Sequence, residues 1–502
     1  MTKIITRDWI RDDIVIHADV RKADVLVNTY TKQDLCEFIN YWKLKLLSHG
    51  AKRGDKIGTC IMPSDIHSTA IKFAAFELGM SMVVLHRPNN EKECQSPKSN
   101  CHLPLDFMIF FTSYLASPIL STAMKHYQKN SKVVLGYGPI EWETQRKKFR
   151  STEETPILAQ PGDIALLCNS SGTTGTPKLI AHSHEYLYNL SSNNGQELGY
   201  EPDDHYLHLS SLNHGATLSL VLPSFRICKN HYFYNSISGK GKLPGDQQYD
   251  EYERFVNDCV KHGITRIFCT HGGVLDEIIN HMANRDIKLP NTSVMILSFI
   301  SPEWCKAIKE GSLKSIYSPF GCSEVCGPVF MMWLNSDNVD NFNPKYLGKP
   351  TVDSFYKTRI ADGRIYTATP YTDEICFDDI VDEKPDGYYF VGKNRLQKIN
   401  DIDINPLDII EIVEKYTTRY QFEIYIDEVY NQLYVLTSDV VAYEQRSHIK
   451  EEIDTFYHGN VTLADVILEP ELYDATISNK ADKDKLAGMV ERFRLTNKNN
   501  AV

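Results

Sequence analysis

The chain has 502 residues, of which 42% are hydrophobic and 24% charged, with a formal net charge of -11 at neutral pH. That length exceeds what one ordinary hydrophobic core organises, so two or more domains are expected. The acidic surplus argues against a protein that works by gripping nucleic acid or an anionic membrane, and an anionic cofactor would have to be met locally. Twelve cysteines are scattered along the chain, and the nearest neighbours, Cys322 with Cys326 and Cys94 with Cys101, lack the paired spacing of a zinc site. Free thiols in a reducing cytosol are the expectation. Met1 to Asp13 carries charges of both signs and no apolar core, unlike a signal peptide. The longest apolar run, Phe107 to Leu120, is interrupted by Thr112, Ser113, Ser117 and Pro118 and is too short to span a bilayer. A soluble cytoplasmic protein is expected.

From Thr31 to Gly50, Leu35, Phe38, Ile39, Trp42 and Leu46 recur on one face of a helix that Gly50 closes. A turn at Arg53-Gly54-Asp55 leads into a strand from Lys56 to Met62, a helix from about Ile66 to Leu78, and a strand from Met80 to Leu85. This alternation predicts an α/β fold, a sheet covered by helices. Residues 86–160, rich in Pro, Asn and charge clusters, read as loops with nothing catalytic. The apolar run Ile164 to Cys168 is a buried strand and leads into Ser170-Ser171-Gly172-Thr173-Thr174-Gly175-Thr176-Pro177-Lys178.

Beyond that run, His182 and His184 have the spacing of two residues on one side of a strand, without a third metal ligand nearby. Tyr206 to Gly215 reads as a strand running into a turn, followed by an apolar helix from Ala216 to Leu222. The βα rhythm resumes with strand Arg266 to Cys269, helix Val274 to His281 and strand Val294 to Ser298. Past Gly392 the character changes. Pro406 near a helix start, a hairpin of Glu423–Ile426 with Leu433–Leu436, a helix from Ala442 to Phe456 and a strand from Val461 to Leu468 predict a small α+β domain. The expected division is a large domain over 1–392 and a small one over 393–502.

Seven of the nine residues from Ser170 to Lys178 are Gly, Ser or Thr, so the backbone can turn N–H groups and hydroxyls toward an anion. The run is not a Walker loop, because its Lys follows Pro and precedes no Ser or Thr. Composition alone also suits a flexible loop, and the buried strand before it favours the polyphosphate cradle. In Tyr317-Ser318-Pro319-Phe320-Gly321-Cys322-Ser323-Glu324, the Ser323 hydroxyl can donate to a phosphate oxygen and the Glu324 carboxylate can hold Mg²⁺, a hard cation suited to oxygen ligands. Asp379 offers an acceptor-only side chain, though a solvated loop carboxylate is the alternative. The Met- and aromatic-rich run Phe330–Trp333 suits an apolar or aryl pocket as well as core packing.

These stretches together resemble the adenylate-forming superfamily, which contains acyl- and aryl-CoA synthetases, nonribosomal adenylation domains and luciferases. Ser170 to Lys178 resembles its phosphate loop, and Phe320 to Glu324 resembles "Tyr-Gly-x-Thr-Glu". Phe377-Asp378-Asp379-Ile380-Val381 with Asp386 to Gly392 is similar to "Thr-Gly-Asp-Leu-Val … Asp-Gly-Tyr-x-x-x-Gly-Arg". Thr476 to Lys483 is similar to "Thr-x-x-Gly-Lys-x-x-Arg", with Asn479 for Gly. Weaker likenesses at Thr29–Thr31, Gly50–Asp55 and Phe76–Gly79 stand in the right order, so the resemblance runs from about Thr29 to Leu486.

The resemblance implies a large domain of sheets covered by helices and a small mobile C-terminal domain. It implies a two-step ligase that uses ATP and Mg²⁺ to convert a carboxylic acid to an acyl-adenylate, then passes the acyl group to coenzyme A or a phosphopantetheine thiol on a carrier protein supplied in trans. Ser170, Ser171, Gly172, Thr173, Thr174, Gly175 and Lys178 would hold phosphates, with Thr173 and Glu324 at the metal and Ser323 on the α-phosphate. Lys480 takes the catalytic lysine's place. Asp379 would hold the ribose, Phe390 would stack near the adenine, His214 would line the carboxylate pocket, and Lys393 would mark the domain pivot.

No Asp lies between Tyr206 and Leu222 to pair with a substrate ammonium, which disfavours an α-amino acid and leaves aryl or short- to medium-chain acids. Further departures from the pattern are Phe299-Ile300-Ser301, which replaces a Gly pair and should narrow the acyl site, Lys393, which replaces an Arg, and Asp401, which stands where a hinge Gly is common. Two other readings stay open: a nucleotide-binding regulator without turnover, against which Lys480 speaks, and an adenylating oxygenase, which shares every motif.

Overall fold

The computed structural model describes residues 3–18, 28–59, 66–85, 103–111, 118–137, 155–169, 179–209, 215–233, 245–269, 272–297, 300–351, 355–393, 397–417, 422–469, 472, 476–477, 480–481 and 483–500. The chain forms two compact units, one of residues 1–342, 348–358 and 367–375, the other of residues 343–347, 359–366 and 376–502.

Among the described residues, fourteen strands belong wholly to the first unit. In chain order they begin with β1 (Val15–Ala18), β2 (Asn28–Thr31), β3 (Lys56–Thr59), β4 (Ser81–Val84), β5 (Leu105–Phe111), β6 (Ser131–Tyr137), β7 (Ile164–Asn169) and β8 (Leu179–Ser183). They continue with β9 (His205–His208), β10 (Asn230–Phe233), β11 (Arg266–Cys269), β12 (Leu289–Ile296), β13 (Leu313–Phe320) and β14 (Phe330–Asn335). One sheet runs β6-β5-β3-β4-β7-β8 and is parallel except for the β7–β8 pair. In the other, the order is β14-β13-β12-β11-β9-β10-β1-β2, parallel inside and antiparallel at β13–β14 and β1–β2. Helices lie between β3 and β4, β5 and β6, β9 and β10, β10 and β11, β11 and β12, and β12 and β13, as crossovers in such sheets require.

The helix Lys32–Ser48 starts where Thr31 and Asp34 form a reciprocal capping box, and it buries Leu35, Phe38, Ile39, Trp42 and Leu46. Lys43, on that buried face, is fully enclosed and donates from Nζ to Glu77 Oε2 at 2.7 Å and to the Thr155 carbonyl at 2.9 Å. Glu77 ends the helix Ile66–Glu77 and also accepts from Arg7 Nε at 2.8 Å and Nη2 at 2.6 Å. One buried carboxylate thus joins the N-terminal segment, two helices and the stretch ahead of β7.

Among the described residues of 86–160, regular structure is more frequent than the composition suggests. β5, the helix Pro118–Asn130 and β6 occupy most of the described part of the span. β5 buries Leu105, Phe107, Met108, Ile109 and Phe110 and so lacks polar alternation, while Pro118 begins a helix rather than breaking one. The helix expected over Ala216–Leu222 runs from Gly215 to Ile227 through Pro223. A proline there has no N–H for the Ser219 carbonyl four residues back, and Asn194 Nδ2 supplies that bond at 3.3 Å.

In the second unit, strands Phe422–Asp427 and Gln432–Thr437 form the expected antiparallel hairpin, and Leu463–Leu468 adds in parallel. The single helix expected over 442–456 is two, Val440–Glu444 and Arg446–Phe456, because Asp439 caps the first and the chain re-aims at Gln445. Ile409, Val413, Ile449 and Ile453 pack against one side of this sheet's core, and Leu486, Met489 and Val490 join Tyr434, Leu436 and Ile467 in a second cluster. Strands Gln397–Ile399 and Ile402–Ile404 pair across Asn400 and Asp401, both at positive φ of 51° and 65°. A two-residue hairpin turn demands that conformation of both, and Asn and Asp tolerate it better than other side chains. Asp401 therefore occupies its place without a glycine. Together the units make an α/β protein with a larger sheet-and-helix part and a smaller α+β part.

Burial pushes the Glu77 carboxyl up, but the bonds from Arg7 and the charge of Lys43 outweigh it and hold the group below its usual range. Removing one partner of such a buried pair typically costs about 3–5 kcal/mol, so Lys43→Met should lower unfolding stability by that order in denaturant titration. Because the folded carboxyl titrates lower than the unfolded one, its contribution is present above an unfolded value of about 4.3 and is lost as pH falls through the folded value. Melting curves of wild type and Glu77→Gln should accordingly differ most near neutrality and converge on acidification.

Candidate active site

Register fixes where the Gly/Ser/Thr-rich run begins and ends. β7 and β8 pair antiparallel with Asn169 opposite Leu179, so residues 170–178 join two paired residues at the carboxyl end of β7. Ser170, Ser171, Gly172, Thr173, Thr174, Gly175 and Lys178 themselves lie outside the described residues, as does His214. The base of the hairpin is well defined. Leu166 pairs with His182, and Cys168 with Ile180.

That base meets the second motif. Beyond β13 the chain turns through Gly321 to Pro328, and the carbonyl of Ser323 accepts from His182 Nε2 at 3.0 Å and from Cys168 Sγ at 3.9 Å. The ring of His182 stacks on Tyr186 with centroids 4.9 Å apart. Tyr186 in turn donates its hydroxyl to the Val325 carbonyl at 2.6 Å, and Ser219 donates to the carbonyl of Cys326. Three carbonyls of one turn are therefore held by side chains from β8, from the helix His184–Glu197 and from the helix Gly215–Ile227. The last of these follows directly on His214 in the chain.

Glycine is required twice in this turn. A Cβ on Gly321 would stand 2.0 Å from the Gly327 carbonyl oxygen, and one on Gly327 would stand 2.2 Å from the Tyr356 hydroxyl. Ser323 and Glu324 are half-buried on it. Glu324 suits Mg²⁺, since it is a hard oxygen donor with solvent access, and Mg²⁺ asks for only one or two carboxylates beside water and phosphate oxygens. Among the described residues no group of three or more His, Cys, Asp or Glu forms a ready-made metal cage.

A cysteine cluster adjoins the turn. The hydrogen bond from Cys326 draws the Cys168 thiol down to about 6 against its burial, with His182 adding to the effect, while the same bond and burial push Cys326 up. Burial and the Glu324 charge push Cys322 up as well.

His182 and His184 do not share a strand face. His182 is in β8, whereas Ser183 caps the following helix and places His184 at its first position, where burial lowers its imidazole to about 4.

The remaining predicted residues lie in the second unit. Strands Thr372–Lys384 and Gly387–Lys393 pair with Asp379 opposite Lys393, and a bulge between Ile380 and Val381 brings Val381 opposite Phe390. Asp379 is half-buried. Phe390 is 6% exposed, so its ring belongs to the packing more than to an open face. Lys480 pairs with Ile477 in a short antiparallel ladder, Thr476 opposite Ala481. The structure thus gathers Ser323 and Glu324 with the base of the 170–178 hairpin in one unit, and Asp379, Phe390 and Lys393 on one hairpin in the other. Sequence reasoning gave no role to Ser219, Tyr186 or the Cys168–Cys326 pair, since contacts between residues so far apart in the chain leave no local pattern.

The family description "AMP-binding enzyme" matches residues 28–364. The 2-succinylbenzoate–CoA ligase, chloroplastic/peroxisomal, of Arabidopsis thaliana is 25% identical over 234 residues, covering 42% of this chain and 39% of that protein. This chain therefore matches well under half the length of that curated relative. Among solved structures, McyG A-PCP complexed with phenylalanyl-adenylate superposes with a TM-score of 0.74 at 16% identity, over 99% of this chain and 97% of that one. The O-succinylbenzoate coenzyme A synthetase MenE of Bacillus subtilis, in complex with ATP and a magnesium ion, gives 0.70 at 15% identity, over 96% and 98%. At such identities these are likenesses of fold. With the family match spanning more than half of the residues, from the first sheet to beyond the Ser323–Glu324 turn, the chain belongs to the AMP-binding enzymes.

Proposed function

We propose that this protein is an AMP-forming carboxylate ligase, which activates an aryl or short- to medium-chain acid with ATP and transfers it to a thiol. The observation that carries the reading is the junction at the Ser323 carbonyl, where His182 and Cys168 fasten the base of the 170–178 hairpin to the turn bearing Ser323 and Glu324. A phosphate cradle and a metal-binding carboxylate have to be held together in this way.

In the first step a carboxylate oxygen attacks the α-phosphorus of ATP, the bond to the bridging oxygen breaks, and pyrophosphate leaves. Negative charge spreads over the phosphoryl oxygens, so fixed donors and cations aimed there lower the barrier. We assign Ser170, Ser171, Gly172, Thr173, Thr174, Gly175 and Lys178 to the β- and γ-phosphates, Ser323 to the α-phosphate and Lys480 to the attacking carboxylate and α-phosphate. Thr173 and Glu324 would hold Mg²⁺, which when bound neutralises phosphate charge. Asp379 takes the ribose hydroxyls, with Phe390 backing its hairpin, and His214 lines the carboxylate pocket.

In the second step a thiol sulfur attacks the acyl carbon and AMP leaves. Residues 393–502 act here as the small mobile domain, moving about Lys393 so that Lys480 withdraws. Coenzyme A and a carrier-borne phosphopantetheine are the candidate acceptors, the former supported by the CoA-ligase name of the Arabidopsis relative and the latter by the fold likeness to an A-PCP protein. The succinylbenzoate names of two relatives support an aryl acid, and the lack of Asp between Tyr206 and Leu222 speaks against an α-amino acid. Nine cysteines, all free among the described residues, support a reducing cytosolic setting. No described helix is long and apolar enough to cross a membrane.

Acid-dependent exchange of labelled pyrophosphate into ATP, over a panel of aryl, short-chain and medium-chain acids, tests the reading. Exchange should appear with one acid class and fall by about two to three orders of magnitude in Lys480→Ala and Glu324→Gln, the usual loss when a charge-stabilising group is removed. No exchange with any acid despite ATP binding would favour the regulator without turnover, and oxygen-dependent product or light would favour the oxygenase. Gly321→Ala should abolish exchange while the chain stays folded by circular dichroism, because its Cβ displaces the turn that carries Glu324.

A further inference from the structure

A group of aromatic side chains that the chemistry above does not use meets where β1 joins the sheet. β10 lies between β9 and β1, and β1 carries the edge strand β2 on its other side. Register sets His17 beside Tyr232 on β10 and Thr29 on β2. The His17 ring stacks on Tyr232 with centroids 4.4 Å apart, and His205 of β9 stacks on Tyr232 as well, at 5.7 Å. His262, in the last turn of the helix Gly245–His262, closes the group at 5.3 Å from Tyr232 and 6.4 Å from His17. His205 Nδ1 lies 2.8 Å from the His262 carbonyl, which only accepts, so that nitrogen carries the proton and also donates to the Tyr232 hydroxyl at 3.2 Å. His262 Nε2 is enclosed without a hydrogen-bond partner. Three imidazoles thus share one phenol.

Positive charge placed here meets little compensation. Among the described residues, the groups facing the imidazoles are His17 from β1, Tyr232 from β10, His205 from β9, and Asp258, Lys261 and His262 from the helix, while β2 presents the neutral Thr29. Asp204 of the segment before β9 is engaged by Thr265 and Arg266, and His231 points to the other face of the sheet. Burial lowers the imidazoles of His17 and His262, and neighbouring imidazoles lower both further, while Asp258 raises His262 only in part. Burial also pushes the Asp258 carboxyl up, so the one facing carboxylate is neutralised the sooner on acidification.

We propose that this cluster is an acid-sensitive latch: with neutral imidazoles it holds β1, and through it β2, against β10, and protonation of His17 and His262 releases both strands. Release lets each imidazolium reach water and move away from the other. Both groups titrate lower in the folded state than the value of about 6.5 for an unfolded chain, so the closed latch is at full strength above that value and weakens as pH falls below it. β1 is susceptible because it has 4 residues, all of them in register with β10 on one side and β2 on the other, so few ladder bonds oppose its release. The latch depends on no step of the reaction proposed above.

Hydrogen–deuterium exchange of the full-length protein, read by mass spectrometry between about pH 8 and about pH 5 and corrected for the chemical dependence of exchange on pH, tests the latch. Peptides containing Val15–Ala18 and Asn28–Thr31 should keep constant protection down to about pH 6.5 and lose it below, their opening rising about tenfold per pH unit for each proton taken up. Peptides containing Lys56–Thr59 and Ser81–Val84, in the other sheet, should lose less over the same range. In His17→Phe, which keeps a ring on Tyr232 and takes up no proton, the loss should be shallower, as in His262→Gln, and shallower still in the double variant. Protection that stays constant in wild type, falls as much in the other sheet, or falls as steeply in the double variant as in wild type overturns the proposal. Where the double variant is unfolded by circular dichroism the single variants decide, and an unchanged slope in either one overturns it.

Discussion

Carbonyl oxygens in a turn have no strand partners, and buried ones must find donors elsewhere. In this chain the turn after β13 meets that requirement with side chains: His182 at Ser323, Tyr186 at Val325 and Ser219 at Cys326. Each bond contributes only about 1 kcal/mol net, yet each comes from a different element, so together they fix the turn in three directions. The arrangement explains why a histidine follows the 170–178 run so closely. A donor at 182 reaches across the β7–β8 hairpin and anchors its base to the carboxylate-bearing turn.

A second constraint lies behind the first sheet. Glu77, Lys43 and Arg7 exchange charge-assisted bonds in a dry interior, where the desolvation penalty nearly offsets their attraction. Their value is positional. Lys43 also reaches the carbonyl of Thr155, which lies on the approach to β7, so the helix face that packs the sheet also sets where the strand leading to residues 170–178 enters. The orphaned Ser219 carbonyl, freed by Pro223 and taken up by Asn194, shows the same economy nearer the site.

Much of this was legible in the sequence because it is local. The capped helix at Lys32, the β7 strand before the Gly/Ser/Thr run, and the hairpin of Phe422–Asp427 with Gln432–Thr437 follow from periodicity and turn residues. Ordered motifs gave the family and the candidate residues. Periodicity failed at β5, where burial on both faces erases alternation, and at the helix Pro118–Asn130, whose opening residues resemble a loop. It also ran His182 and His184 together, because nothing in their spacing announces that Ser183 turns a strand into a helix. The clamps on the 321–328 turn were invisible for a different reason. They pair residues more than a hundred positions apart, and a single sequence records no such pairing.

Gly321 and Gly327 face each other with the Gly327 carbonyl where a Cβ of Gly321 would stand, and the Tyr356 hydroxyl fills the corresponding place beside Gly327. The path of the turn is thus set by exclusion as well as by hydrogen bonds, leaving few alternative backbones of low energy. A carboxylate mounted on such a path is preorganised: Glu324 needs little rearrangement to meet a charged ligand, and the work of orienting it was done when the chain folded.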